Sequence, residues 1–206
     1  MVKVKICGIT SQRDAEAAAG FGADAIGFIF APSPRRIAPA LAKKIVRSLG
    51  PFIATVGVFV NEKPATVMAV AQEAGLTAVQ LHGDETTATV KKIKGVRVIK
   101  TMRVANAADV WAMRGYKADA VLFDTKVEGK YGGTGKTFDW KLLASYKGEV
   151  PFIVSGGLMP HNVREVVKIA RPYGVDVSTG VERSPGVKDA EMIKEFIRNA
   201  KQPQVS

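Results

Sequence analysis

The 206-residue sequence contains a single cysteine, and no stretch of it approaches the roughly 20 apolar residues of a membrane-spanning helix. One cysteine excludes an intramolecular disulfide and a zinc site built from several thiolates, which is typical of proteins in a reducing compartment. The first residues also lack the apolar run and cleavage site of a secretory signal peptide. We therefore expect a cytoplasmic protein with no membrane partner.

Acidic residues are scarce relative to basic ones, since 19 Asp and Glu stand against 30 Lys and Arg for a net charge of +11. Such a balance suits nucleic acid, an anionic surface or a small anionic substrate. Aromatic residues make up only 7% of the chain and are not interleaved with the basic ones, as a stacking platform for nucleic acid requires. The charge therefore favours a small anionic substrate and no nucleic-acid partner.

Short β-branched runs alternate with amphipathic helical segments along the whole chain. The runs with strand character lie at 2–7, 25–30, 53–60, 78–81, 96–102, 120–123, 152–154 and 175–178. Eight such repeats in 206 residues fit a closed barrel better than an open doubly wound sheet. The sequence predicts an α/β protein with one (β/α)8 TIM-barrel domain over residues 1–206, eight helical segments and a frayed tail from about residue 201.

In such barrels the active site lies at the carboxyl ends of the strands, where Cys7 closes the first strand and Asp124 the sixth. A lone cysteine is more often a small buried apolar residue, and an aspartate here is often a cap or the partner of a lysine such as Lys126. At the mouth of a basic barrel, however, a thiolate is a suitable base and an aspartate a suitable acid. The pair predicts proton transfer on two faces of one small substrate.

Glycine-rich segments follow the last two predicted strands. Gly156 and Gly157 follow the seventh, and Ser178, Thr179 and Gly180 follow the eighth. Barrels of this kind bind phosphate at these two loops through backbone N–H groups. We therefore expect these five residues to bind a phosphate group.

Three further features lie at predicted strand ends. The pair Arg35 and Arg36 follows strand two, where a guanidinium is suited to a two-point contact with a carboxylate. His82 closes strand four and is more often structural than catalytic at such a position. The segment 132–136 lacks the spacing of a nucleotide-binding loop and is predicted to be part of a mobile flap over 125–137. No His, Cys, Asp and Glu residues have metal-ligand spacing, so we expect no metal.

Together, nine motifs in order resemble those of the phosphoribosylanthranilate isomerases of tryptophan biosynthesis. They are Lys-Ile-Cys-Gly-Ile-Thr at 5–10, Gly-Phe-Ile-Phe at 27–30, Ser-Pro-Arg-Arg at 33–36, Val-Gly-Val-Phe-Val-Asn at 56–61, Gln-Leu-His-Gly at 80–83, Phe-Asp at 123–124, Gly-Gly-Thr-Gly-Lys-Thr-Phe-Asp-Trp at 132–140, Ser-Gly-Gly-Leu at 155–158 and Asp-Val-Ser-Thr-Gly-Val-Glu at 176–182. The resemblance spans essentially the whole chain. One departure is Thr179, where the family often has a second serine, which also carries a hydroxyl.

The resemblance implies a cofactor-independent Amadori rearrangement of a phosphosugar. Asp124 would protonate the furanose ring oxygen and open the ring, and Cys7 would then remove the C2 proton. Arg36 would match the position that binds the anthranilate carboxylate, while Asp176 and His82 would match supporting residues of the mouth. Family members are monomers or homodimers, and the resemblance leaves both open for this chain.

Other function classes fit the residues less well. The related isomerase of histidine biosynthesis pairs two aspartates, so Cys7 argues against it. The indole-forming synthase would be expected to carry catalytic lysines and an additional helix before its first strand. A basic binding module without catalysis would leave Cys7 and Asp124 without a role.

Overall fold

Eight parallel strands close into a barrel in sequence order in a computed structural model, which describes residues 1–125, 137–144, 146 and 148–202. The barrel strands are β1 (Lys3–Ile6), β2 (Ala25–Ile29), β3 (Ala54–Phe59), β4 (Ala78–Leu81), β5 (Arg97–Val104), β6 (Ala120–Thr125), β7 (Phe152–Val154) and β8 (Gly174–Val177). The strands β1 and β8 pair in parallel and complete the ring. The predicted TIM barrel is therefore confirmed.

Seven α-helices surround the barrel within the described residues. They are α1 (Gln12–Gly20), α2 (Pro39–Ser48), α3 (Pro64–Ala74), α4 (Thr87–Lys92), α5 (Ala107–Trp111), α6 (Val163–Ala170) and α7 (Ala190–Lys201). A short antiparallel hairpin of β9 (Glu182–Ser184) and β10 (Val187–Lys188) follows β8. This hairpin lies beyond the carboxyl end of the last barrel strand and so contributes to the mouth.

The helix starts follow local side-chain chemistry. Pro39 and Pro64 are the first residues of α2 and α3, where the missing N–H costs no hydrogen bond. Ser11 and Asn106 cap α1 and α5 by accepting hydrogen bonds from first-turn N–H groups. Pro160 lies in the turn that precedes α6. Local sequence thus marks where these helices begin, whereas the connections that precede α2, α6 and α7 are long.

The structure departs from the sequence prediction between β6 and β7. The sequence predicts eight helical segments, but the described part of this connection holds only a 3₁₀ turn over Trp140–Leu143. Gly148 and Pro151 stand shortly before β7 and disfavour a longer helix there. Residues 126–136, which include most of the predicted flap, lie outside the described residues.

The carboxyl-terminal helix ends close to the residue at which the predicted tail begins. The helix α7 continues through Lys201, whose ammonium donates to the carbonyl of Gly22 at 2.7 Å and pairs with Asp24. This contact ties the helix end to the loop before β2. Residues 203–206 of the predicted tail lie outside the described residues.

Apolar side chains fill the amino-terminal part of the barrel interior, and polar ones take over toward the carboxyl ends. The inward-facing apolar cluster consists of Val56, Ala78, Ile99, Ala120, Leu122 and Ile153. The next inward positions along the strands are buried and polar, among them Lys5, Gln80, Thr101, Asp124 and Asp176. Because side chains alternate along a strand, the barrel itself directs these polar groups into one layer below the mouth.

A larger apolar cluster packs the outer face of the barrel against the helices, with Phe28, Phe123 and Phe196 fully buried in it. Most strand residues are buried on both faces, as in parallel sheets covered by helices. Within the described ranges, no helix combines the length and apolar character needed to cross a bilayer.

Candidate active site

A cavity of about 530 Å³ opens at the carboxyl ends of the strands. Its lining includes Cys7, Arg35, Gln80, His82, Asp124, Ser155, Asp176 and Ser178. Five of the ten predicted site residues therefore face one cavity. The sequence separation between them shows that the cavity is assembled by closure of the barrel rather than by a local motif.

Cys7 directly follows β1 and is 5% exposed. Burial raises the pKa of its thiol, and the charge of Asp176 adds to this effect, whereas the ammonium groups of Lys5 and Lys188 act in the opposite direction without outweighing it. The sequence leaves the protonation state of Cys7 open. The structure favours a protonated thiol at neutral pH, because burial dominates over the two lysines.

Lys5 stands two residues before Cys7 on β1, so both side chains share the inward face. Its ammonium donates to Asp176 Oδ1 at 2.9 Å and to Gln80 Oε1 at 2.7 Å. Burial acts to lower the pKa of Lys5, but the charges of Asp176 and Cys7 outweigh it and leave the pKa above the ordinary value. Lys5 is therefore a buried cation at neutral pH.

Asp124 lies near the end of β6 and is 3% exposed. Its Oδ2 is 3.0 Å from Nε2 of His82, and its Oδ1 accepts the N–H of Thr125 at 2.8 Å. The other ring nitrogen of His82, Nδ1, is 2.8 Å from Nε2 of Gln80. Both carboxyl oxygens are thus held in place, and the group faces the cavity. Proton transfer at a defined position requires a group that is fixed in this way.

The loop after β7 approaches Asp124 through two glycines in the left-handed conformation. Gly156 and Gly157 have φ values of 89° and 64°, and a Cβ at Gly156 would lie 2.7 Å from Asp124 Oδ1. Glycine is required at this point both by the backbone angle and by the close approach. Among the described residues the N–H groups of both glycines have no acceptor, so they are available to an anion.

The loop after β8 packs directly against the loop after β7. Gly180 lies in a 3₁₀ turn over Thr179–Val181, and a Cβ on it would overlap the carbonyl oxygen of Leu158. Ser178 precedes this turn and places a buried hydroxyl in the cavity wall, which has no hydrogen-bond partner in the described part of the chain. A buried hydroxyl of this kind is suited to a bound ligand. The phosphate contact of these two loops stays a prediction.

A charged cluster supports the loop after β8. Glu182 accepts hydrogen bonds from the Arg35 guanidinium at 2.8 and 2.7 Å and from Lys188 Nζ at 2.8 Å. Burial acts to raise the pKa of Glu182, but the two cations outweigh it and lower the pKa. Lys188 also donates to the carbonyl oxygen of Ser178 at 3.0 Å. The cluster holds two cations and one anion, and this excess of positive charge favours a bound anion.

Arg36 lies outside the main cavity. Its exposed side chain lines a separate cleft of about 390 Å³ together with Phe30, Phe59 and Glu62. Its guanidinium forms no hydrogen bond or ion pair with the residues that the structure describes, whereas that of Arg35 is engaged by the protein itself. Of the two arginines, Arg36 is therefore the one available to a ligand carboxylate, and its predicted contact stays a prediction.

Three side chains that shape the site are absent from the predicted site residues: Lys5, Gln80 and Glu182. The sequence offers a signal for Lys5 and Gln80, because each precedes a predicted site residue by two positions and therefore points to the same face. That site residue is Cys7 for Lys5 and His82 for Gln80. No comparable signal exists for Glu182, whose role depends on the hairpin that follows β8.

Buried charges at the mouth are paired with one another. Besides Lys5 and Asp176, the pair Lys100 and Glu85 is buried with 2.8 Å between Nζ and Oε2. Within the described residues, no three His, Cys, Asp or Glu side chains are grouped so that they could hold a metal ion. Cys7 and Asp124 in the cavity wall are groups that can exchange protons with a ligand.

Comparison with known proteins gives one consistent family. The family model for N-(5'-phosphoribosyl)anthranilate (PRA) isomerase matches residues 4–199. The curated N-(5'-phosphoribosyl)anthranilate isomerase of Geobacter sulfurreducens is 50% identical over 202 residues, which cover 98% of this chain and 99% of the relative.

Solved structures agree with this similarity. The phosphoribosyl anthranilate isomerase of Thermotoga maritima superposes with a TM-score of 0.90 at 46% identity, over 98% of this chain and 99% of that one. Monomers generated from that dimeric enzyme match with a TM-score of 0.87 at 43% identity over the same shares. A phosphoribosyl anthranilate isomerase in complex with reduced 1-(o-carboxyphenylamino)-1-deoxyribulose 5-phosphate gives a TM-score of 0.87 at 44% identity, again over 98% and 99%.

Proposed function

This chain belongs to the N-(5'-phosphoribosyl)anthranilate isomerase family, and we propose that Asp124 and Cys7 are the acid and base of its reaction. The enzyme converts N-(5-phosphoribosyl)anthranilate, an aminoaldose, into 1-(2-carboxyphenylamino)-1-deoxy-D-ribulose 5-phosphate, a ketose, in tryptophan biosynthesis. The rearrangement only moves protons and electron pairs within the substrate. An acid, a base and anion-binding groups are therefore the parts that this site needs.

One observation carries the assignment of roles. Cys7 and Asp124 are buried on different strands, yet both line the same cavity beneath the loops that follow β7 and β8. A substrate held by its phosphate at those loops would present its ribose to both groups. The site thus combines proton transfer with an anchor at a fixed distance from it.

Asp124 acts in the first step. Its carboxyl proton moves to the furanose ring oxygen, the bond from C1 to that oxygen breaks, and the lone pair of the anthranilate nitrogen forms the C1–N double bond. The resulting carboxylate accepts hydrogen bonds from His82 Nε2 at 3.0 Å and from the N–H of Thr125 at 2.8 Å. Two donors aimed at the negative charge that develops here assist the release of the proton.

Cys7 acts in the second step. The thiolate takes the proton from C2, the C2 electron pair forms a double bond to C1, and the π electrons of the C1–N double bond return to nitrogen. The enolamine formed in this way then tautomerises to the ketone. Because burial favours the protonated thiol, the nearby ammonium groups of Lys5 and Lys188 are needed to stabilise the thiolate before this step.

Substrate binding uses the loops after β7 and β8 for the phosphate and Arg36 for the carboxylate. We assign the phosphate to the N–H groups of Gly156, Gly157, Thr179 and Gly180 and to the hydroxyl of Ser178. The unpaired N–H groups and the unpartnered buried hydroxyl described above support this assignment. We further assign Asp176 and His82 to supporting roles at the cavity wall, where both lie.

The function is tested by mixing the purified protein with freshly generated phosphoribosylanthranilate and following the loss of anthranilate-type fluorescence. We expect rapid loss with the wild-type protein and formation of the ketose product by chromatography. Fluorescence that decays no faster than in buffer would contradict the isomerase activity and would direct the search to other phosphosugar substrates of this fold.

Replacement of Arg36 by alanine is expected to weaken substrate binding. The loss of a charge-assisted hydrogen bond of about 1.5–3 kcal/mol should raise KM roughly 10- to 100-fold with little change in kcat. Arg97→Ala is the matched control, because Arg97 is exposed at the amino end of β5, away from the mouth. Unchanged KM in Arg36→Ala would contradict the carboxylate contact.

We also propose that two copies associate through the amino-terminal face of the barrel. Phe52, in the turn between α2 and β3, is 96% exposed, which is a large apolar surface to leave in water. A cleft bordered by Met1, Val167 and Pro172 lies at the same end of the barrel. Phe52→Glu should convert a dimer into a monomer in light scattering while activity is kept. A monomeric wild-type protein would contradict this proposal.

The proposed site also bears on the cellular compartment of the protein and on the kind of partner it binds. A catalytic Cys7 must stay reduced, so we infer a cytoplasmic location. The basic side chains near the cavity turn toward carboxylates such as Glu182 and Asp176 rather than forming an exposed stripe. We therefore expect a phosphosugar ligand and no nucleic-acid partner.

A further inference from the structure

Lys5 contacts the proposed base, Cys7, and is linked to the proposed acid, Asp124, through Gln80 and His82, although it does not line the cavity. A Cβ built on Gly27 would lie 2.7 Å from Cys7 Sγ and 3.0 Å from Lys5 Cε, so the two side chains converge over the same point. On its other side, Lys5 Nζ donates to Gln80 Oε1 at 2.7 Å. Lys5 is thus placed between the base and a chain of side chains that leads to the acid.

The ammonium of Lys5 fixes the orientation of Gln80. An ammonium group can only donate, so Gln80 must turn its carbonyl oxygen toward it. The amide nitrogen of Gln80 then faces Nδ1 of His82 at 2.8 Å and Thr101 Oγ1 at 3.2 Å. Because the amide nitrogen is a donor, Nδ1 has to accept and therefore carries no proton.

The orientation of Gln80 in turn decides which ring nitrogen of His82 is protonated. A neutral imidazole with a bare Nδ1 carries its proton on Nε2, which lies 3.0 Å from Asp124 Oδ2. The opposite form would require Gln80 to be reversed, with its NH₂ group against the Lys5 ammonium. Two donors would then face each other in a buried place, which is strongly unfavourable.

We propose that Lys5 is a positioning residue for both proton-transfer groups: its charge favours the thiolate of Cys7, and through Gln80 it keeps His82 in the form that donates to Asp124. This inference rests on the acid and base roles proposed above. Donation from His82 becomes charge-assisted once Asp124 has given up its proton. The interaction therefore strengthens during the reaction, which is how a group outside the cavity can raise kcat.

Four charged groups act on the thiol of Cys7, and each belongs to a different element packed around it. Lys5 belongs to β1, Asp176 to β8 and Lys188 to β10, and Arg35 lies in the loop after β2. Among these groups Lys5 opposes the effect of burial on the thiol pKa most strongly. Its removal should therefore raise that pKa further.

The first test is Lys5→Met, which keeps the length of the side chain and removes the charge. The sequence holds one cysteine and two histidines, so thiolate absorbance and nitrogen NMR of isotope-labelled histidine can be assigned with little ambiguity. Thiolate formation at Cys7 should move upward by about one to three pH units. The His82 signals should lose the pattern of a ring protonated only on Nε2, and kcat should fall roughly 10- to 100-fold with KM unchanged.

A second variant, Gln80→Glu, isolates the connection to the acid. A carboxylate at this position keeps the contact with Lys5 but can only accept from His82, so the ring proton should move to Nδ1 or the ring should gain a second proton. We expect the His82 signals to change accordingly and kcat to fall at constant KM. The exposed His161 serves as the reference in the same spectrum.

The outcomes separate this inference from the proposed function. Unchanged His82 signals in both variants, together with an unchanged titration of Cys7 in Lys5→Met, would overturn the role of Lys5. If Lys5→Met does not fold because Asp176 is left unpaired, Gln80→Glu provides the test instead. Unchanged His82 signals in Gln80→Glu would then overturn the proposal. A wild-type protein without isomerase activity would instead contradict the proposed function. The titration of Cys7 and the NMR signals of His82 would still test the contacts of Lys5.

Discussion

Asp124→Asn is expected to give a folded barrel whose kcat is lower by about two to four orders of magnitude, with little change in KM. The amide matches the carboxylate in size and can still accept a hydrogen bond from His82, so the cavity keeps its shape. The variant has no proton acidic enough to transfer to the ring oxygen. Steady-state kinetics with phosphoribosylanthranilate would measure the effect directly.

A matched control lies next to the same strand. Asp119 directly precedes β6 at the amino end of the barrel and forms an exposed pair with Arg97 at 2.9 Å. Asp119→Asn makes the same chemical change away from the mouth and should keep full activity. Near-normal kcat in Asp124→Asn would remove Asp124 from the acid role even if the wild-type protein is an active isomerase.

Cys7→Ser should lower kcat to a similar extent, by about two to four orders of magnitude. Serine preserves the size of the side chain, but its hydroxyl does not ionise in the range where proteins are active, so it cannot take the proton from C2. Circular dichroism should show an unchanged fold. A serine variant that keeps the wild-type rate would exclude Cys7 as the base.

The pH dependence of the wild-type enzyme provides an independent check on Cys7. A base must be deprotonated to act, so the rate should rise with pH as the thiol ionises. Because burial raises the pKa of Cys7, this rise should extend above the range of an exposed thiol. Alkylation by iodoacetamide should follow the same curve, since the chain has no other cysteine. A rate that is already at its maximum at neutral pH would contradict the protonated thiol.

The barrel and its central pair of residues could be predicted from the sequence because both follow from local patterns. Buried β-branched runs alternate with helical segments, and the strand-end rule selects Cys7 and Asp124 without any knowledge of tertiary contacts. The same rule selects His82, whereas Asp176 is suggested only by the family resemblance, and both side chains face the cavity. Local pattern is sufficient wherever the position on a strand decides the direction of a side chain.

Interactions between distant elements could not be predicted in this way. Which of Arg35 and Arg36 is available to a ligand depends on Glu182, whose position is set by the hairpin after β8. The ionisation of Cys7 depends on how strongly burial outweighs the nearby lysines, and composition gives only the total charge. A net charge of +11 leaves the ionisation of this thiol open, whereas burial in the structure raises its pKa.

Pairing of β1 with β8 also has a consequence for how the enzyme is made. The contact between Lys5 and Asp176 spans 171 positions of the chain, and strand register places these two residues opposite each other. During synthesis on the ribosome, β1 therefore cannot pair with β8 until nearly the entire polypeptide has emerged. A truncated nascent chain has no closed ring to bury Cys7 beside its charged neighbours, so catalytic competence should appear abruptly, with the emergence of the eighth strand.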